Sequence, residues 1–141
     1  MKLDMPKIFV IAFFGLGIAM VISKSTSWFG SAGASSLKIP ELSQTAQAGK
    51  VAFEANCKQC HGENGSGTSS GPPLVNNIYN PGHHDDASFF RAMQKGTGAH
   101  HWQFGNMPAQ NQVASTDRRK IIQYVRELQE ANGIFYRPHK M

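Results

Sequence analysis

The only two cysteines of this 141-residue chain, Cys57 and Cys60, stand in "CKQCHGENGSG", two residues apart with His61 directly behind them. Nothing else in the sequence restricts the fold so sharply. A bridge across so short a gap would constrain almost nothing in the unfolded chain, so a structural disulfide is not their use. A dithiol redox pair would belong to βαβ patterning and would have no need of the histidine. Zinc would need about four ligands, and no second cysteine pair exists. The C-x-x-C-H spacing instead fits covalent haem attachment, each sulfur forming a thioether to one vinyl group while the next residue turns its imidazole to the iron from the same side. The porphyrin would then be the largest apolar body in a small core. A single haem c, linked through Cys57 and Cys60 and ligated by His61, is the first expectation.

The length allows one domain and an appendage, which argues against an enzyme with an interdomain cleft. With 40% hydrophobic residues, 14 glycines and 7 prolines, the chain reads as globular and loop-rich. Residues 8–23, "IFVIAFFGLGIAMVIS", are uncharged and follow Lys2 and Lys7. As a helix at about 1.5 Å per residue they would span roughly 24 Å. A bilayer core is about 30 Å thick, but Lys7 and Lys24 can snorkel and Trp28 can reach the far interface. A retained membrane anchor is therefore preferred to a cleaved signal, for which "AGA" ending at Ala34 is the candidate site and Ser35 the new start. Both send the remainder across a membrane and leave the N-terminus in the cytoplasm. Residues 24–45 read as a flexible linker reaching roughly 25 Å. The domains are then anchor or signal 1–23, linker 24–45, head 46–133 and tail 134–141.

No strand-like alternation appears in the head, so an all-α fold is expected. One helix runs over 46–56 with Gly49 and Phe53 on its apolar face. Pro72 and Pro73 forbid helix in the loop that follows. A second helix covers 85–95, capped by Asp85 or Asp86, carrying Phe89, Phe90 and Met93, and ended by Gly96. A third runs from Ser115 or Thr116 to Asn132 with a hydroxyl cap, Ile121, Tyr124, Val125 and Leu128 on one face, and Gly133 past its end. Between them the irregular segment 96–115 holds "HHWQFGNMPAQ", and long loops in small domains usually hold something. Met107, stiffened by Pro108, is the candidate sixth ligand, because a soft thioether favours ferrous iron. His100 and His101 are its rivals, and Met93 is read as packing.

From Ala46 to Gly133 the sequence resembles the class I cytochromes c in their small, membrane-anchored or periplasmic bacterial form. The resemblance rests on "AGKVAFEANCKQCHG", "GPPL", "NMP" and the last helix with Tyr124. It implies an all-α fold of three or more helices around the haem, with Gly49 and Phe53 crossing against Ile121 and Tyr124. It also implies that the Pro72 carbonyl orients His61, that Leu74 packs on the haem face, and that Met107 is axial with Asn106 supporting its loop. The implied function is one-electron carriage rather than catalysis, from a quinol:cytochrome c reductase to a terminal oxidase or another periplasmic acceptor. The lipid bilayer would be met through residues 8–23, and no small-molecule substrate is expected. A haem peroxidase or small-ligand sensor, or a fixed electron-transfer subunit, are the alternatives.

The pairs His83–His84 and His100–His101, with Trp102 and Phe104, exceed the family's minimum. The histidines are read as surface or capping groups, with a copper or zinc site as the lesser alternative. His139 gets no role. The run "DRRK" at 117–120, with Lys58 and Lys95, reads as a solvated face able to meet an acidic partner. The net charge of +5 favours such encounters, although Lys2, Lys7 and Lys24 belong to the membrane segment. Scattered arginines and the export segment disfavour nucleic acid.

Overall fold

A computed structural model describes residues 37–138. The proposed anchor, the first part of the linker and His139 lie outside the described residues. Four helices follow in order: α1 (Gln44–Asn56), the single turn α2 (Lys58–His61), α3 (Asp86–Lys95) and α4 (Ser115–Ala131). Two 3-10 turns, Glu63–Gly65 and Asn77–Tyr79, lie between α2 and α3. Among the described residues there are only isolated β-bridges, Thr68 with Gly71 and Thr97 with Met107. The expected all-α architecture holds there. No described helix is long and apolar enough to cross a membrane.

The core forms where α1 crosses α4. A Cβ on Gly49 would lie 2.0 Å from the Lys120 carbonyl oxygen, so only glycine lets the two backbones approach this closely. One turn on, the Phe53 and Tyr124 rings meet edge to face at 5.5 Å, both fully buried. Ala46, Met93, Ile121, Val125 and Leu128 complete the packing. The Asp85 carboxylate accepts the Ser88 N–H at 2.7 Å and so caps α3, while Gly96, at φ +76°, ends it.

Three details differ from expectation. The Ala114 carbonyl accepts the amides of Asp117 and Arg118, so α4 starts at Ser115 and its first turn has no side-chain cap. Ser115 and Thr116 therefore lie inside the helix rather than before it. Arg118 is not on a solvated face; it is 8% exposed, because it stands three residues before Ile121 on the inner stripe of α4. Its guanidinium donates to the Gln110 carbonyl and lies over the Phe90 ring. Finally, the chain from Lys38 is already tied to α4. Lys38 exchanges two hydrogen bonds with the Asn132 side chain, and Ser43 donates to the Glu127 carboxylate through both its N–H and its hydroxyl. The tail is held in the same way, with Ile134 buried and the Arg137 N–H bonded to Asn80.

Candidate haem-binding site

The turn α2 explains the spacing of the motif. The Cys57 carbonyl accepts the amides of both Cys60 and His61, which places residues i, i+3 and i+4 on one side of a single helical turn. Gly62, at φ +76°, then reverses the chain, and a Cβ there would meet the Gly67 carbonyl at 2.4 Å. Asn64 holds the left-handed region beside it, at φ 53°, with its side chain accepting the Tyr124 hydroxyl at 2.8 Å. Gly71 passes against the Cys60 carbonyl with no room for a side chain. These close approaches bring the Pro72 carbonyl to the His61 ring, where Nδ1–H donates to it at 2.9 Å. Since a carbonyl only accepts, Nδ1 carries the proton and Nε2 keeps its lone pair in the neutral ring.

Burial reinforces that state. It holds the His61 pKa below the usual histidine value, with the bond to Pro72 opposing in part. Burial, with the neighbouring Cys60 second, pushes the Cys57 thiol up to about 11.

Cys57, His61, Pro72, Leu74 and Met107 line one cavity of about 660 Å³, together with Phe53, Met93 and residues of the 96–107 loop. Cys60 is exposed at the end of the same turn. Met107 is fixed by its backbone: it exchanges two hydrogen bonds with Thr97, at 2.9 and 3.0 Å, and its carbonyl packs where a Cβ on Gly96 would be. Asn106 accepts the Ala99 N–H and so braces that loop. The Trp102 indole also lines the cavity, its buried N–H close to the Tyr79 side chain but outside good hydrogen-bond geometry. Beside it burial raises the Tyr79 pKa, an effect that the indole eases. A mainly apolar cavity with an indole N–H in its wall fits a large flat ligand with an anionic edge, which describes haem and its carboxylates.

A family model described as Cytochrome c matches residues 46–129. The chain belongs to the cytochrome c family. No curated protein matches it. As a cytochrome c it carries a covalent c-type haem, with Cys57 and Cys60 spaced for the attachment, and serves haem-based electron transfer.

Several residues that shape this cytochrome site were not singled out in the sequence. Arg126, 8% exposed, donates from Nε to Asp86, from Nη1 to the Tyr79 carbonyl and the Gln129 side chain, and from Nη2 to the His84 carbonyl. Gln129, fully buried, donates to the Leu74 and Tyr79 carbonyls. Both continue the inner stripe of α4, and a polar side chain on an apolar stripe signals a carbonyl to be satisfied. The four histidines also depart in part from the sequence reading. His100 and His101 are exposed, as a surface reading expects, but the four converge along one side of the cavity, His83 Nε2 lying 3.1 Å from His101 Nε2 and His84 Nε2 3.4 Å from His100 Nε2. Burial and the neighbouring rings hold the pKa of His84 and His101 below the usual value.

Proposed function

We propose that the chain is a membrane-tethered one-electron carrier of the bacterial periplasm, reduced by a quinol-oxidising complex and reoxidised by a terminal oxidase or another periplasmic acceptor. The observation that carries this reading is the His61 to Pro72 bond at 2.9 Å in a cavity that Met107 also lines. The haem supplies a one-electron couple. Around it the side chains hold rather than react. Cys57 and Cys60 fix the group, His61 offers a neutral Nε2 whose basicity the Pro72 carbonyl raises, and Met107 offers a soft thioether that favours the reduced state. Leu74 covers the apolar face, and the Trp102 N–H is available to a carboxylate. If His61 and Met107 both held the haem iron, no position would be left for a substrate, which would support a carrier over a peroxidase or sensor.

The uncharged run 8–23 between lysines supports the anchor and the periplasmic location of the head. Exposed Lys58 and Lys95 can meet an acidic partner patch. Steering is modest, however, because residues 37–138 hold ten Lys and Arg against eight Asp and Glu.

Visible spectra of the purified, haem-loaded full chain test the carrier reading. The expected results are a far-red sulfur-to-iron band in the ferric form and no carbon monoxide uptake by the ferrous form; ready uptake would favour the ligand-binding reading. Retention in the membrane fraction and the mass of the mature chain test the anchor, and a start at Ser35 would remove it.

A further inference from the structure

His83 and His84 lie in the turn before α3, and His100 and His101 lie in the loop that Thr97 and Met107 close. One ligand nitrogen each from His83, His84 and His101 falls within 4.8 Å of the others, and His100 joins through its 3.4 Å approach to His84. We propose that these four imidazoles form a second metal site, for a divalent ion that takes nitrogen ligands in a tetrahedral array, zinc first. The site adjoins the haem cavity, but the proposal does not depend on the carrier reading.

Tautomers carry the argument. His84 Nδ1 lies 2.9 Å from the Ile78 carbonyl and His100 Nδ1 lies 2.8 Å from the Gly98 carbonyl. Each Nδ1 must therefore carry a hydrogen, and in the neutral rings each Nε2 is a bare lone pair. The two bare nitrogens face each other at 3.4 Å, an arrangement that no hydrogen bond between neutral rings accounts for. A proton added to one ring, or a metal ion between the two, would account for it. The His83 to His101 approach, at 3.1 Å, could hold a ring proton; the His84 to His100 approach needs an added one or a metal.

Geometry and chemistry select the ion. Tetrahedral zinc with bonds of about 2.05 Å sets its nitrogens roughly 3.3 Å apart, near the 3.1 and 3.4 Å approaches, and the ligand nitrogens of His83, His84 and His101 all lie within 4.8 Å of one another. A square-planar copper(II) ion with similar bonds would draw neighbouring nitrogens to roughly 2.8 Å. Among the described residues no carboxylate joins the group: Asp85 caps α3 and Asp86 pairs with Arg126. An all-imidazole set suits zinc and not magnesium or calcium. The carbonyls on His84 and His100 are the outer partners that metal-bound histidines use to fix their rings. Arg126, donating to the His84 carbonyl at 2.6 Å, holds that turn in place. Bound metal would staple the turn to the loop that carries Met107.

The test uses the haem-loaded full chain, stripped of loose metal by chelation and titrated with zinc chloride in a calorimeter. One zinc per haem iron is expected, with binding weakened at least roughly 100-fold in the double variant His84→Gln, His101→Gln. Zinc-edge X-ray absorption of the wild-type chain should show three or four imidazole nitrogens at roughly 2.0 Å, and this measurement decides the matter should the variant fail to retain haem. Three results would each overturn the proposal: no zinc bound, which would leave a shared proton as the bridging charge; undiminished binding by the double variant; or fewer than three imidazoles around the zinc.

Discussion

Met107 and Gly49 depend on their surroundings in opposite ways, one needing freedom to reach a ligand and the other having no space at all. Replacing Met107 by alanine removes the thioether and leaves its backbone bonds to Thr97 intact. The ferric far-red band should vanish and the ferrous protein should take up carbon monoxide. An unchanged band and no uptake would transfer the axial role away from Met107. Gly49→Ala would put a methyl group 2.0 Å from the Lys120 carbonyl oxygen and 2.5 Å from its carbon. Those atoms are backbone, so α1 and α4 must separate rather than a side chain rotate. A loss of about 1–3 kcal/mol or more is expected from denaturant unfolding of the haem-loaded protein.

Helix α3 owes its start to one carboxylate. The Ser88 hydroxyl and then the Ser88 N–H hold the Asp85 pKa below its ordinary value, at 2.5 and 2.7 Å. A depressed carboxylate stabilises the fold above its unfolded pKa, and that stability is lost as pH falls through the lower folded value. Asp85→Asn keeps an acceptor for the amide and should flatten the acid limb of a stability-against-pH curve with little change at neutral pH. Asp85→Ala should cost about 1 kcal/mol at neutral pH. Arg126 works between elements, joining α4 to the Tyr79 and His84 carbonyls and stacking over the Phe89 ring at 4.7 Å. Arg126→Met should lower stability by about 3 kcal/mol, and Arg126→Lys should not restore it, since a compact ammonium cannot span the four partners that the planar fork reaches. The three longer helices were legible because apolar period and terminal glycines, and for α3 the Asp85 cap, are local properties, whereas the hydroxyl cap expected for α4 is absent. Arg118, Arg126 and Gln129 were not legible. Their partners are carbonyls 8 to 55 residues away in sequence, which no local pattern marks.

At the scale of the whole molecule, the candidate axial pair was readable because C-x-x-C-H and the methionine loop are short and chemically specific. The histidine cluster was readable only as the lesser alternative, because its members come from two loops whose meeting depends on the fold around the cavity. That cavity also divides the domain energetically. On one side α1 and α4 bury Phe53, Tyr124 and Leu128 against each other. On the other, α2, Leu74 and the 96–107 loop line about 660 Å³ that protein atoms do not fill. The haem is thus a core component for the second group, and a domain this small has little other apolar surface to bury. Binding that the unfolded chain lacks stabilises the folded state, and covalent attachment makes that gain independent of concentration. The double variant Cys57→Ser, Cys60→Ser, purified without haem, should therefore keep part of the α1 and α4 helicity but lose a sharp thermal transition and bind hydrophobic dye. Circular dichroism and dye fluorescence measure both properties. A cooperative transition matching that of the haem-loaded protein, with no dye bound, would mean that the helix pair alone sustains the fold.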